Sequence, residues 1–197
     1  MTMNYKVIDN FLDEKYFDSL VTLFTDKEKT GNNLMPWFFI SSIVNADLSL
    51  RFPNPKNHEK WVEKDKLFYM THLLYENSMS TSCYFDKLTP LLEKLEARCL
   101  VRIKANLYPN TEILHEHPMH VDYDFFTSGA VLSLNTCDGY TKLEDGTKVD
   151  SVANRVLLFD ASKKHCSTTT TNVSARININ INYIREKELQ GNFYFPT

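Results

Sequence analysis

The run Arg176-Ile-Asn-Ile-Asn-Ile-Asn182 decides the fold. Ile177, Ile179 and Ile181 alternate with Arg176, Asn178, Asn180 and Asn182, and a period of two marks a strand whose two faces meet different surroundings. The isoleucine face asks for an apolar layer. The Arg/Asn face asks for something polar, which open solvent or the mouth of a barrel would both supply. The alternation predicts a strand over 175–185. Upstream, from Cys99, short runs of Val, Ile, Leu, Phe and Thr are divided by turn residues. They predict strands near 100–108, 119–124, 128–136, 140–144, 155–160 and 165–170, with a tight turn at Asp145-Gly146.

The N-terminal part has a different texture. Tyr5 to Ile8 reads as a short strand, and Asp13 can cap a helix that places Phe17, Leu20, Val21 and Phe24 on one core face. After polar turn material at 26–33, Pro36 to Val44 is strand-like, with Trp37, Phe38 and Phe39 expected in the core. Between 45 and 66 the pattern dissolves into Asn, Pro and Lys, which predicts a mobile loop or substrate lid. Leu67 to Tyr75 fits helix or strand by spacing, and its aromatics favour strand. From Asp86, Leu88, Leu91, Leu92 and Leu95 share a helical stripe, with Pro90 acceptable in the first turn. Helices early and strands late give an α+β, mainly β fold: a β-sandwich or jelly roll whose isoleucine face packs on the N-terminal helices and whose Arg176 and Asn178 point into the barrel. The expected division is one domain over 1–197, with a support region at 1–98, a core at 99–185 and a tail at 186–197.

Composition sets outer limits. A chain of 197 residues, 43% hydrophobic and 13% aromatic, can build a core without disulfides. Cys83, Cys99, Cys137 and Cys166 form no Cys-x-x-Cys pair and are expected reduced and mostly buried, with Cys166 turned by strand alternation away from His165. A formal charge of −3 offers no electrostatic footprint for nucleic acid. Neither a signal peptide nor a membrane-spanning run is visible, so a cytoplasmic location is expected. Oligomeric state is not legible.

The chemistry is concentrated in His115-Glu-His-Pro-Met-His-Val-Asp122. On a strand, His120 and Asp122 would share a face and could offer an imidazole nitrogen and a carboxylate oxygen to one ion. His165 follows the apolar run Arg155 to Asp160 and can supply a third ligand from a neighbouring strand. Two histidines and one carboxylate leave open positions on an octahedral ion, an arrangement suited to non-haem Fe(II). Arg176, on the polar face of the final strand, would then need an anion, and the distal carboxylate of 2-oxoglutarate is a natural partner. Alternatives at this point are a cupin-like metal site built from His115, His117 and His165 with a carboxylate and no 2-oxoglutarate, and a non-catalytic jelly-roll binding module. His115 and His117 otherwise read as exposed loop residues or as substrate contacts at the rim.

Tyr108, His120-x-Asp122, His165 and Arg176, with the run Arg102-Ile-Lys-Ala-Asn-Leu-Tyr-Pro109, resemble the prolyl 4-hydroxylase-like branch of the 2-oxoglutarate/Fe(II) oxygenases, close to its small phage-encoded members. The likeness covers roughly 85–185. It implies a double-stranded β-helix core flanked by N-terminal helices and iron at His120, Asp122 and His165. It also implies 2-oxoglutarate held by Tyr108, Arg176 and Asn178, with O2 as oxidant and ascorbate in a supporting role. The implied reaction hydroxylates a substrate, a prolyl residue in a peptide or protein being the family-led expectation and a small molecule another, while 2-oxoglutarate is decarboxylated to succinate. The implied setting is the cytoplasm of a host cell. Two departures stand out: Ser133 occupies a place where animal prolyl hydroxylases have a tyrosine, and Gly139-Tyr140-Thr141 resembles the family's Gly-Gly-x turn with one glycine lost.

Overall fold

The computed structural model describes residues 5–25, 35–41 and 68–185. In chain order the elements are β1 (Tyr5–Ile8), α1 (Glu14–Thr25), β2 (Phe38–Ile40), β3 (Tyr69–Glu76), β4 (Met79–Ser80), a 3-10 turn (Phe85–Leu88) running into α2 (Thr89–Lys94), β5 (Ala97–Pro109), β6 (Ser128–Ser133), β7 (Tyr140–Leu143), β8 (Lys148–Asp150), β9 (Val156–Asp160), β10 (His165–Ser167) and β11 (Ala175–Arg185). The strands build two antiparallel sheets. The larger runs β1-β9-β6-β11-β5-β3-β2, with β4 paired to β3, and the smaller runs β10-β7-β8. This is a mainly β, double-stranded β-helix core with an N-terminal helical region.

β11 organises both layers. Ile177, Ile179 and Ile181 join Phe17, Leu20 and Phe24 of α1 and Leu88, Leu91 and Leu95 around α2 in one apolar core. Inside the sandwich, Val131, Leu157 and Phe159 of the large sheet meet Leu143 and Val149 of the small one. Between these layers the even positions of β11 face the even positions of β5, in register: Arg176 with Tyr108, Asn178 with Asn106, Asn180 with Lys104 and Asn182 with Arg102. All four β11 side chains are buried, so the polar face looks into the barrel and not into solvent.

Several expectations need correction. No strand forms at 119–124; a single bridge, His120 to His165, holds that stretch, because Pro118 has no N–H to continue a ladder. β6 stops at Ser133 and β10 at Ser167, and β8 was not anticipated. Phe38 and Phe39 are 58% and 62% exposed on the edge strand β2, while Trp37 packs at 6.5 Å from Phe24. Cys83 and Cys99 are exposed, and only Cys137 and Cys166 are buried, all four as free thiols. The proposed lid at 45–66 lies outside the described residues. The Asp145-Gly146 turn is present, with Gly146 at φ 89°, a conformation that favours glycine. Among the described residues no helix is long and apolar enough to cross a membrane.

The core assignment is checked by Ile179→Ala. Ile179 is fully buried, so truncation should cost about 2–4 kcal/mol in a urea unfolding experiment.

Candidate metal centre

The two candidate imidazoles are fixed by their own backbones. His120 N–H donates to the His165 carbonyl and His165 N–H to the His120 carbonyl, each at 2.9 Å, which brings the ring centroids to 4.6 Å. Asp122 N–H is tied to the Ala161 carbonyl at 3.0 Å. The loop 120–122 therefore needs no strand to face the β9–β10 connection. His120 Nδ1 lies 3.3 Å from the Pro118 carbonyl and His165 Nδ1 3.0 Å from the Lys163 carbonyl. A carbonyl only accepts, so each Nδ1 carries a proton, which leaves Nε2 as the nitrogen that a metal can take from each ring.

Both Nε2 atoms turn towards Asp122. Its Oδ1 is 3.9 Å from His120 Nε2 and its Oδ2 is 3.8 Å from His165 Nε2. These gaps exceed a hydrogen bond. The three ligand atoms lie within 4.8 Å of one another, the one such group of histidine, cysteine and acid side chains among the described residues. Two imidazole nitrogens and one carboxylate around an open point fit a divalent transition metal.

The carboxylate is the most constrained member. Its side chain is 4% exposed. Arg102 Nη2 donates to Oδ1 at 2.9 Å and Asn182 Nδ2 to Oδ2 at 2.8 Å. Burial pushes the Asp122 pKa up, but His165, Arg102, Lys104 and the Asn182 bond together outweigh it and hold the group well below the usual carboxylate range. Burial and the nearby His165 lower His120 to about 4, against some opposition from Asp122, so it is a neutral donor at pH 7. Arg102 and Asn182 were not singled out as site residues from the sequence, although their alternation with Lys104 and Asn180 was there to read.

A small, partly enclosed cavity opens beside these ligands. Tyr69, Lys104, Asn106, Tyr108, Thr141 and Asn178 help line it. His165 pairs in register with Leu143 of the inner core and Cys166 with Lys142, which bonds Glu116 on the outer face, so alternation turns the Cys166 side chain away from His165 as expected. Arg176, 1% exposed, lies behind this wall. Its Nη2 donates to Thr141 Oγ1 at 2.9 Å, Nε to Ser151 Oγ at 2.5 Å and Nη1 to the Thr168 carbonyl at 3.3 Å. No carboxylate pairs with it among the described residues. Gly139 makes room for this arginine, since a Cβ there would stand 2.7 Å from Arg176 Cδ. The Tyr108 ring is 5.6 Å from the guanidinium carbon, and Asn178 Oδ1 accepts from Asn106 Nδ2 at 3.0 Å. Ser133 is Asn178's partner in register on β6.

His115 and His117 separate. His115 is exposed. His117 is buried, not at the rim: Nδ1 is 2.8 Å from Ser167 Oγ, the ring packs 5.2 Å from Tyr108, and Nε2 has no partner. Neither belongs to a ligating group, which removes the basis for the cupin-like set. Glu116, between them, reaches the surface of the small sheet, where Tyr140 OH donates to it at 2.5 Å and Lys142 Nζ at 2.9 Å.

No family model and no curated protein matches this chain by sequence. Solved structures do match. A Pseudomonas putida prolyl-4-hydroxylase aligns with 14% identity and TM-score 0.57 over 93% of this chain and 94% of that one. The fold is that of the 2-oxoglutarate/Fe(II) oxygenases. A Burkholderia pseudomallei oxidoreductase of that oxygenase family aligns with 10% identity and TM-score 0.61, covering 92% and 85% of the two chains. A Trichoplax adhaerens prolyl hydroxylase, solved with a peptide of hypoxia inducible factor, aligns with 15% identity and TM-score 0.57 over 98% and 89%. At these identities the likeness is one of oxygenase fold.

Two outcomes test this geometry. Removing the guanidinium in Arg102→Ala should weaken Co(II) binding by roughly 10–100-fold, the range for partners that orient a metal ligand, as read by titration of the d–d absorption. The second concerns acid stability. Burial, with Arg176 and the other histidines, depresses His117 from 6.5 to about 3, so between those values the unfolded chain takes up a proton that the folded one refuses. Stability is then full above pH 6.5 and falls as the pH drops towards 3. Metal-free protein should lose on the order of 1–2 kcal/mol between pH 7 and pH 5 through this residue, and His117→Leu should show a correspondingly smaller loss in urea unfolding at both pH values.

Proposed function

We propose that the chain is an Fe(II)/2-oxoglutarate-dependent dioxygenase that hydroxylates a substrate while 2-oxoglutarate is converted to succinate. The observation that carries this is the convergence of two imidazole Nε2 atoms and one buried carboxylate on a single point, beside a cavity backed by an arginine without an acidic partner. In this role His120, Asp122 and His165 hold the metal, and the open positions left by three protein ligands suit a bidentate cosubstrate and O2. When bound, Fe(II) supplies the activation of O2 that the side chains here cannot provide.

The protein's own part is positional. Arg102 and Asn182 fix the carboxylate, and the Pro118 and Lys163 carbonyls fix the two imidazole tautomers. Arg176 takes the far carboxylate of 2-oxoglutarate, displacing the neutral Thr141 hydroxyl for a charged acceptor that forms a stronger bond. Burial lowers the pKa of this guanidinium, a cost that an incoming anion offsets. Tyr108 and Asn178, from adjacent strands, complete the wall. Ser133 stands in register with Asn178, so a tyrosine contact of the animal type is absent from this place and the load on Arg176 is greater. The prolyl hydroxylases among the matched structures make a prolyl residue in a peptide the first substrate to try. Small molecules follow.

Anaerobic titration should give one Fe(II) per chain, and His165→Ala should remove most of that affinity. Arg176→Ala should raise the 2-oxoglutarate dissociation constant tenfold or more, about 1.5–3 kcal/mol of charge-assisted pairing. Succinate release screened across prolyl peptides, amino acids and small acids checks the reaction; unchanged metal binding in His165→Ala, or wild-type 2-oxoglutarate affinity in Arg176→Ala, contradicts it.

A further inference from the structure

β5 carries one more cation on its inward face. In order along that face stand Arg102, Lys104, Asn106 and Tyr108, opposite Asn182, Asn180, Asn178 and Arg176 of β11. Arg102 is committed to Asp122. Lys104 is not committed to any acid. It lines the cavity together with His120 and His165, its ammonium is 5.7 Å from the Tyr69 ring centroid, and no ion pair engages it among the described residues. Asp122, whose charge it feels, already has both oxygens occupied by Arg102 and Asn182.

A lysine in such a place needs an explanation. A half-buried ammonium beside the Tyr69 ring loses hydration, and Asp122 and Glu76 act on it only through their charge, without an ion pair. Burial, with Arg102 adding to it, brings Lys104 down to about 8. An apolar residue of similar length would line this wall at less cost. Across the strand pair stands Asn180, 8% exposed. Lys104 and Tyr108 are four residues apart on one strand, about 13 Å of backbone, and Arg176 sits at the Tyr108 end. Two cations without acids, one at the metal end of the cavity and one at the other, match an acid with two carboxylates.

We propose that Lys104 is a cosubstrate-binding residue that receives the carboxylate adjoining the oxo group, at the metal end, while Arg176 receives the distal one. This rests on the cosubstrate assignment made under Proposed function. It divides recognition into two separable parts: the Lys104 contact is common to every 2-oxo acid, and the Arg176 contact selects those with a second carboxylate. A carboxylate on the hydroxylated substrate is the other source of the same chemistry, and the two are told apart by which ligand loses affinity.

The experiment is calorimetric titration of Co(II)-loaded protein with 2-oxoglutarate and with pyruvate, in wild type, Lys104→Met, Lys104→Arg and Arg176→Met, each variant first shown to match the wild-type circular dichroism and cobalt content. Lys104→Met should weaken both acids by a similar factor of tenfold or more. Lys104→Arg should recover most of that loss. Arg176→Met should weaken 2-oxoglutarate while leaving pyruvate nearly unchanged. If Lys104→Met binds both acids as the wild type does, the lysine serves another ligand and the proposal is overturned, with the cosubstrate assignment intact. If wild-type protein binds no 2-oxoglutarate, the cosubstrate assignment falls and takes the lysine's role with it. A variant that loses cobalt or fold is replaced by Lys104→Gln, judged by the same two titrations.

Discussion

A carboxylate that is 4% exposed must be surrounded by donors or it will not stay ionised, and the pairing of Asp122 with Arg102 and Asn182 satisfies that demand. The two donors come from neighbouring strands at matched register. Shifting β5 against β11 by one residue would turn Arg102 to the other face and put Val101 or Ile103 in its place. The register of the sheet and the charge state of one acid are therefore a single constraint. The loop bearing His120 and Asp122 can be irregular because the strands behind it are not.

That constraint is expensive in apolar terms. Arg176, Asn178, Asn180 and Asn182 form a buried polar stripe through the middle of the large sheet, where hydrophobic side chains would pack with less desolvation. The opposite face of the same strand supplies the compensation. Ile177, Ile179 and Ile181, with α1 and α2 laid across them, bury enough apolar surface to fix the strand's orientation. The N-terminal helices hold the polar side of β11 facing inward by covering its other side.

The sequence made the two long strands legible because each alternates strictly, and alternation survives any tertiary context. It also placed His120, Asp122, His165 and Arg176 on the page as one group, and the fold brings the first three together. What escaped was held by contacts distant in the chain. The 119–124 stretch has strand-like residues but lacks a ladder, since Pro118 interrupts it and a bridge to His165 replaces it. His117 reads as a loop residue; only the folded chain shows it packed under Tyr108. Phe38 and Phe39 look like core by hydrophobicity, yet lie on an edge strand. Arg102 and Lys104 share the period of Tyr108, but a period of two says which residues share a face and not which of that face will touch an acid.

β11 is the last strand in sequence among those described, and it lies between β6 and β5 in the interior of the large sheet. Strands synthesised earlier therefore wait, with open edges, for a partner that leaves the ribosome after them. Until it arrives β5 and β6 have nothing between them, Asp122 lacks one of its two donors, and the apolar surfaces of the helices are uncovered. Assembly of the metal pocket is in this way deferred until β11 has been made, and a nascent chain halted before residue 175 would expose open strand edges and lack the Asn182 donor.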